Sequence, residues 1–429
     1  MLLTLCPEKK RAREPGEQME ELKQKKSVSK LLIILIVLLS TAERIQILGL
    51  PVYLLLLVPL VFISIIKSVK ENEGRLLIDR FELFVLVWVA VGFALSLVYG
   101  TGGDYKAIEG LLINFLILIL FYSRTGEDFE LSMLVGLVCA FLLNISIGVM
   151  EIRKEGFHVV QNFSDAYLRM FAQKAVGFQV NANDYCAMLV ITIIGIIYLS
   201  KKLEIRKKPV NYLFLAMHAV GIYIIFVDFS RAAIISLLII AVYIGVYKLF
   251  GKRRWKMITL FILLLAVLAI LATNGFEESF SAFMDKKSDT QRLGIYSETW
   301  SFIKNHYFLG VGIGNTTRIT GSSPHNLIFE ILSDYGFIIA IPFSIYLIRL
   351  INYKTDNDNG KGYHLIALFG ICFLLAGFSV SSLLRNRICW VLFAYFVRQV
   401  KDISRSVDLD NENREAYLQS QDIRTSGAK

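Results

Sequence analysis

The sequence predicts an all-α, polytopic integral membrane protein with about twelve transmembrane helices and a large external loop that contains short helices. Hydrophobic residues make up 55% of the 429 residues, more than one soluble core could bury. Apolar windows close to the 20 or so residues that a helix needs to cross a bilayer recur between short charged connections. We therefore expect lipid to surround most of the chain.

The predicted spans occupy most of the chain between residues 31 and 396. Many of these windows are close to one bilayer crossing in length, and they are bounded by charged or turn-forming residues. Glu43 and Arg44 interrupt the first window, so its limits are set less sharply than those of the others. The windows are 31–48, 51–66, 81–99, 107–122, 131–150, 185–199, 212–229, 232–246, 257–272, 327–348, 365–380 and 388–396.

Positive charge is distributed unevenly along the chain. There are 46 Lys and Arg against 36 Asp and Glu, which gives a formal net charge of +10. Such a surplus also suits nucleic-acid binding, but here the basic residues gather in alternate connections. With the N-terminus inside and an even number of spans, the clusters in 9–30, 67–80, 201–208 and 248–256 share one side. This positive-inside pattern predicts a multi-pass protein of the cytoplasmic (inner) membrane with no nucleic-acid partner.

The same topology divides the chain into three parts. Residues 1–30 are expected to form a basic cytoplasmic tail, residues 31–398 the transmembrane domain and residues 399–429 a polar cytoplasmic tail. Two external connections, at about 151–184 and about 274–324, are longer than a tight hairpin needs. They contain apolar residues at helical intervals, which predicts short helices at the outer interface. We therefore look for chemistry there.

Few arginines fall on the predicted outer side. Arg231, in "VDFSRAAII", lies in a connection so short that its side chain must stay near the lipid phosphates, where a guanidinium can bind two oxygens in one plane. It could equally snorkel to the interface, or pair with Asp228 three residues earlier on one helical face. Arg292 and Arg169 lie in the two large external connections, where each could instead be a solvated charge.

A polar turn opens the window at 327–348, in "GSSPHNLIFEILSDYGF". Ser323 is a suitable N-cap and Pro324 suits the first helical position, which would place His325 in the first turn. The amides and dipole at a helix start attract anions and disfavour imidazolium. A neutral His325 could then accept a proton.

Three polar residues continue from this turn into the apolar window. Asn326, Glu330 and Asp334 are spaced by four residues, so they are predicted to share one helix face. Ionisable groups at membrane depth usually face the protein interior or a water-filled cavity. The face could bind substrate, or it could be a structural seam of polar contacts between helices.

Neither a nucleotide nor a metal site is predicted. Gly310, Gly312 and Gly314 in "FLGVGIGN" allow a tight backbone path toward the histidine turn, and no Gly-Lys-Ser/Thr follows them as in a phosphate-binding loop. The five cysteines, and the Asp, Glu and His residues, show no metal-ligand spacing. We expect chemistry that uses no metal and no cofactor.

Several of these stretches occur together in a characteristic order. "FQVNANDYCAML" opens a span after an external loop, "FSRAA" stands at the next external turn, and "QRLGIYSETWSFIKNHYFLGVGIGN" and "SSPHNLIFEILSDYGF" follow. The combination, over roughly residues 165–345, resembles the O-antigen ligase and Wzy-type polysaccharide polymerase superfamily of polytopic bacterial membrane proteins. Ala182 and Tyr307 stand where that family often has proline, which puts the local turn geometry in question.

The resemblance implies an enzyme that takes glycans from a polyprenyl diphosphate at the outer face of the bacterial cytoplasmic membrane, with both termini cytoplasmic. His325 would accept a proton from the acceptor sugar hydroxyl, while Arg231 and Arg292 would bind the diphosphate. The substrate-binding residues that it implies are Arg169, Asn181, Asn183, Tyr296, Asn326 and Glu330. The expected partners are a polyprenyl-diphosphate-linked oligosaccharide, the lipid bilayer, and flippase and chain-length regulator proteins.

Three functions agree with the residues, and one is preferred. A polymerase of capsule, exopolysaccharide or O-antigen is favoured over a ligase to lipid A core, protein or wall acceptors, because the long soluble C-terminal domain of protein-directed relatives is missing. A transporter of lipid-linked oligosaccharide should line a central cavity with charges at mid-span. Here the notable charges gather at the outer rim, so an enzyme is the better interpretation.

Overall fold

A computed structural model describes residues 29–42, 46–47, 50–71, 78–100, 105–124, 126–154, 174–179, 181–205, 207–228, 230–250, 286–321, 324–353, 364–378 and 386–404. Over these residues the chain is helical apart from its turns and one small antiparallel hairpin. The hairpin consists of two strands of two residues each, β1 (Gln46–Ile47) and β2 (Leu50–Pro51). The predicted all-α class is confirmed for the described part of the chain.

The first half of the chain contains mostly long helices. They are α1 (Ser29–Ser40), α2 (Val52–Glu71), α3 (Arg80–Tyr99), α4 (Tyr105–Ser123), α5 (Glu127–Arg153), α6 (Ala182–Lys202), α7 (Lys208–Asp228) and α8 (Arg231–Phe250). Asp79 starts α3 with a capping box, since its side chain accepts from the backbone at Glu82 and the Glu82 side chain accepts in return.

The second half mixes short polar helices with apolar ones. They are α9 (Lys286–Asn305), α10 (Asn315–Thr320), α11 (Leu327–Tyr335), α12 (Phe337–Ile351), α13 (Leu365–Gly377) and α14 (residues 387–404). Because α14 continues to residue 404, the predicted start of the C-terminal tail at residue 399 falls inside this helix.

Within the described residues, α3, α5, α6 and α7 are long and apolar enough to cross a membrane. In six further helices the described apolar stretch is only 10 to 17 residues long, so the count of about twelve spans is not confirmed. The predicted span at 257–272 lies outside the described residues. The single span predicted at 327–348 is wrong, because Gly336 separates α11 from α12.

The core of the bundle is built around α6 and α14. Residues 388–396 of α14 are all fully buried, and α6 is buried along almost its whole length. Helices α5, α7, α8 and α13 pack around α6. Trp390 of α14 lies among aromatic rings, with centroids 5.6 Å from Trp88 and 5.7 Å from Phe373. This packing aligns the helices and brings their ends together in two groups.

One group of helix ends is tied by charged side chains. Asp79, before α3, accepts hydrogen bonds from Tyr122 near the end of α4 and from Lys401 near the end of α14. Lys202 at the end of α6 forms an ion pair with Glu130 in the first turn of α5. We call this group of helix ends the basic end, and the opposite group the site end.

The Asp79 carboxylate is held in its charged form by these neighbours. Burial alone would raise its pKa, but the hydrogen bonds from Lys401 and Tyr122 and the charge of Lys401 lower the pKa below the ordinary value for aspartate. The charged Asp79 carboxylate therefore links the start of α3 to the ends of α4 and α14.

Candidate functional site

The site end is formed where several helices begin or end together. The carbonyl oxygen of Gly100, just after α3, accepts a hydrogen bond from Asn315 Nδ2 at 2.8 Å, at the start of α10. Asn386 Nδ2, just before α14, donates to the backbone oxygen of Asp184 in the first turn of α6 at 3.3 Å. The end of α3 and the starts of α6, α10 and α14 therefore lie at one end of the bundle.

A loop rich in glycine, residues 306–314, runs against the junction between α11 and α12. Val311 N donates to Ser333 O at 3.0 Å and Gly312 N donates to Asp334 O at 2.8 Å. Phe337 N donates back to Phe308 O at 2.9 Å. These backbone hydrogen bonds fix the loop beside the C-terminal end of α11, at the opposite end of that helix from the histidine turn.

Two glycines make this approach of backbone to backbone possible. Gly310 has φ +83°, and a Cβ there would lie 2.6 Å from Gly336 N. Gly336 has φ +73°, and a Cβ there would overlap the carbonyl group of Leu309. Because Gly336 adopts a left-handed conformation against the loop, the helix cannot continue through it. This contact is the physical reason that the apolar window at 327–348 forms two helices.

Asp334 uses its buried carboxylate to hold the same loop. Its Oδ2 accepts from Gly314 N at 2.9 Å, and its Oδ1 accepts from Thr316 N at 3.2 Å and from Thr316 Oγ1 at 2.6 Å. The carboxylate thus caps the first turn of α10, whose own N-cap residue is glycine. Asp334, one of the three residues of the predicted polar face, therefore has a structural role.

The histidine turn differs in detail from its prediction. The N-cap of α11 is Asn326, not Ser323, because Asn326 Oδ1 accepts from Ile328 N at 3.0 Å and from Phe329 N at 3.2 Å. His325 therefore precedes the helix and is not in its first turn. Its φ of +49° is left-handed, a conformation that a residue with a Cβ adopts only when its surroundings enforce it.

Helix α9 supplies part of those surroundings. Tyr296 Oη donates to the backbone oxygen of His325 at 3.3 Å. The Tyr296 ring meets Phe329 of α11 edge-on with centroids 5.7 Å apart, and Trp300 stacks on Phe329 at 6.1 Å. The half-buried His325 side chain lies in the segment that this contact holds. The structure thus brings together Tyr296, His325 and Asn326, three of the predicted site residues.

The structure describes the three predicted arginines to different extents. Arg231 is half-buried and is the first residue of α8, whereas Asp228 is the last residue of α7, so the two do not share one helical face. Arg292 lies on α9 one turn before Tyr296, and its side chain is outside the described residues. Arg169 lies wholly outside them.

The remaining predicted residues lie at two helix starts. Asn181 caps α6, and its Oδ1 accepts from Asp184 N at 2.9 Å. Asn183 is half-buried in the first turn of α6, and Glu330 is half-buried in the first turn of α11. Because Asn181 uses its side-chain oxygen as a cap, its amide nitrogen is the group that could face a ligand.

Sequence reasoning missed a buried arginine at the site end. Arg387, only 5% exposed, starts α14 and donates to Asn114 Oδ1 at 2.7 Å, to Gly110 O at 3.3 Å and to Tyr53 Oη at 3.2 Å. It thereby connects α14 with α4 and α2. The sequence signal that could have identified Arg387 is its position directly before the apolar window at 388–396. A charge there is costly to bury, so it usually has partners within the protein.

No metal site can be built from the part of the chain that the structure describes. There, no three His, Cys, Asp or Glu side chains come together as ligands would. The chemistry of the site end is instead that of a histidine, an arginine, amide side chains and aromatic rings. That combination is suited to holding a polar, anionic ligand beside a group that can accept a proton.

The long apolar helices of this bundle indicate a membrane protein. Residues 215–344 match the family model described as O-antigen ligase. The chain is also 24% identical over 368 residues to the teichuronic acid biosynthesis protein TuaE of Bacillus subtilis (strain 168), over 78% of this chain and 74% of that protein.

Together, these two matches support the predicted resemblance to the O-antigen ligase and Wzy-type superfamily. They also support a role in glycan transfer during polysaccharide biosynthesis at a membrane. The matched region includes the predicted site residues Arg231, Arg292, Tyr296, His325, Asn326 and Glu330, whereas Arg169, Asn181 and Asn183 precede it.

Proposed function

We propose that this protein is a polysaccharide polymerase that transfers glycan from a polyprenyl diphosphate to a sugar hydroxyl. The reaction takes place at the outer face of the bacterial cytoplasmic membrane and uses no metal. The observation that carries the proposal is the setting of His325, which Tyr296 and the Asn326 cap hold at the start of α11. Arg231 starts another helix that begins after a tight turn at the same end of the bundle.

In the proposed reaction the acceptor hydroxyl gives its proton to His325 as its oxygen attacks the anomeric carbon. The bond between that carbon and the diphosphate oxygen breaks, the anomeric configuration inverts, and the polyprenyl diphosphate leaves with the electron pair. A well-placed base contributes about 10²- to 10⁴-fold in rate. A well-placed donor to growing negative charge contributes about 3 to 4 kcal/mol, which is the role we give to Arg231 and Arg292.

The arrangement of helix starts supports an anionic ligand. Helices α6, α8, α11 and α14 begin at the site end, so the positive ends of their dipoles lie at that end of the bundle. Arginine prefers the planar, bidentate contacts that phosphate oxygens offer. A diphosphate at this end would therefore meet favourable electrostatics from both backbone and side chains.

A ligase is the second candidate, because the matching family is described as O-antigen ligase. The two functions share the donor and differ in the acceptor, which is another lipid-linked repeat unit for a polymerase. We favour the polymerase because the relative TuaE is named for teichuronic acid biosynthesis and not for ligation to an acceptor.

The test supplies the purified protein in nanodiscs with a synthetic polyprenyl-diphosphate repeat unit and a metal chelator. A ladder of products supports a polymerase, whereas single additions to an added lipid A core acceptor without a ladder support a ligase. Dependence on added metal would contradict the mechanism.

Two variants examine the assigned residues in the same assay. His325→Ala and Arg231→Ala should accumulate normally and lose the ladder. The matched controls are His364→Ala, just before α13 at the basic end, and Arg153→Ala, an exposed residue at the end of α5. Unchanged product from both site variants would remove the assigned roles.

A further inference from the structure

A short non-helical segment before α6 is buried inside the bundle. Residues 175–179 are all buried, and the backbone amides of the first three donate to carboxylates from two other helices. Ala175 N donates to Asp228 Oδ1 at 2.8 Å, while Val176 N and Gly177 N both donate to Glu151 Oε2 at 2.8 Å. We call residues 174–179 the buried turn.

The two carboxylates are as deeply buried as the turn that they hold. Glu151 near the end of α5 is 0% exposed and Asp228 at the end of α7 is 2% exposed. A non-helical backbone at this depth must find its hydrogen bonds within the protein. Successive amides that point at one oxygen form a strong anion-binding arrangement, so each carboxylate and the turn stabilise the other.

The buried turn is also locked against the first turns of α6. Gly177 has φ +53°, and a Cβ there would lie 2.8 Å from the Tyr185 ring. Tyr185 Oη in turn donates to the backbone oxygen of Asn144 on α5 at 2.5 Å. The turn therefore has one position relative to α5 and α6, and it leads directly to the Asn181 cap.

Asp228 connects this assembly to the start of α8. Its second oxygen, Oδ2, accepts from Cys186 Sγ of α6 at 3.5 Å. Only the short connection through Ser230, which is itself buried, separates Asp228 from Arg231. The position of Arg231 relative to α6 is therefore set by the contacts of Asp228.

We propose that Asp228 and Glu151 are positioning residues for glycan transfer, which hold Arg231 in register with Asn181 and Asn183 through the buried turn. This inference rests on the proposed function. Neither carboxylate touches substrate. Each acts as a hydrogen-bond acceptor, so an amide that keeps a carbonyl oxygen in the same place should preserve the role.

The test compares Asp228→Ala with Asp228→Asn in the donor assay. We expect Asp228→Ala to raise the KM for the polyprenyl-diphosphate donor about 10-fold or more, since a hydrogen bond to a charged group is lost, with a smaller change in kcat. Asp228→Asn should stay within about 3-fold of the wild type. Asp128→Ala, at an exposed residue of the basic end, is the matched control and should have no effect.

A second readout does not depend on activity. Trypsin cleaves after Lys174, at the start of the buried turn, and this bond should be cut faster in Asp228→Ala than in Asp228→Asn when both are held in nanodiscs. Mass spectrometry identifies the new peptide end. A merely destabilised protein would instead be cut at many sites at once.

Three outcomes would overturn the inference. The first is an unchanged donor KM together with unchanged cleavage in Asp228→Ala. The second is a loss of activity in Asp228→Asn as large as that in Asp228→Ala. The third is a loss of activity that is explained entirely by a smaller amount of folded protein. If Asp228→Ala does not fold, Asp228→Asn and Glu151→Gln decide: a donor KM near the wild type supports positioning, and a 10-fold rise overturns it. A wild-type protein that makes no glycan would refute the proposed function, while cleavage at Lys174 would still test whether Asp228 holds the buried turn.

Discussion

Asp334→Ala is the change whose effect can be worked out most fully from the structure. The wild-type carboxylate accepts two backbone hydrogen bonds and one hydroxyl hydrogen bond from the start of α10, at 2.9, 3.2 and 2.6 Å. Alanine removes both acceptor oxygens, so the amides of Gly314 and Thr316 and the Thr316 hydroxyl lose these three hydrogen bonds. The loop beside α11 then loses the side chain that fixes its far end.

The expected loss of stability follows from these three bonds. Loss of one N-cap costs about 0.5 to 2 kcal/mol, which sets the lower limit. Each hydrogen bond to a charged group contributes about 1.5 to 3 kcal/mol, so three independent ones would set an upper limit of about 9 kcal/mol. Because charged aspartate is itself costly to bury, the net effect is smaller than that limit, and we expect about 3 to 5 kcal/mol.

The assay is unfolding in mixed micelles by added SDS, followed by circular dichroism. Asp334→Ala should unfold at a clearly lower SDS fraction and should also lose product, because α11 carries His325 at its start. The matched control is Asp402→Ala, whose carboxylate pairs with Arg398 on the surface of α14 at 2.8 Å and should cost at most about 0.5 kcal/mol. Equal unfolding curves for Asp334→Ala and the wild type would refute the reasoning.

Three further changes test separate contacts. Gly336→Ala should lower the thermal midpoint more than Gly100→Ala, because φ is +73° and +70° respectively but only the first Cβ would meet backbone; equal midpoints would contradict this. Tyr296→Phe removes the donor to the backbone oxygen of His325 and should lower kcat about 2- to 10-fold at unchanged protein level, whereas an unchanged kcat would show that this bond does not position the histidine. Asp79→Asn should make stability fall less steeply in acid. The lowered pKa of Asp79 gives a contribution to stability that is present above about pH 4 and is lost as the pH falls through the folded-state pKa. Parallel curves of stability against pH for the variant and the wild type would contradict this.

The helices themselves were largely predictable. The window at 81–99 corresponds to α3 (Arg80–Tyr99), and the window at 212–229 to α7 (Lys208–Asp228). An apolar run of this length has no other stable arrangement in lipid than a helix, so composition and length decide it. The shorter windows were less informative, because a run of 10 to 17 apolar residues suits a buried helix as well as a span.

The candidate site was predictable as a region but not in its contacts. Sequence reasoning chose Ser323 as the cap, and the structure uses Asn326, although both residue types are good caps. The segment before the cap is held by the contact of Tyr296 with His325, which joins residues 29 apart in the chain. No local propensity contains that information.

By itself, the sequence determined that this protein is a set of apolar helices in a bilayer, because hydropathy and helix periodicity are local sums over neighbouring residues. That its chemistry lies near a histidine turn and a few arginines stays a prediction. Only the tertiary structure decided that Gly336 divides a helix, that Asp334 caps α10 and that Asp228 holds a buried turn. Each of these depends on backbone groups from distant parts of the chain, whose need for hydrogen bonds away from water is met only after the helices have packed.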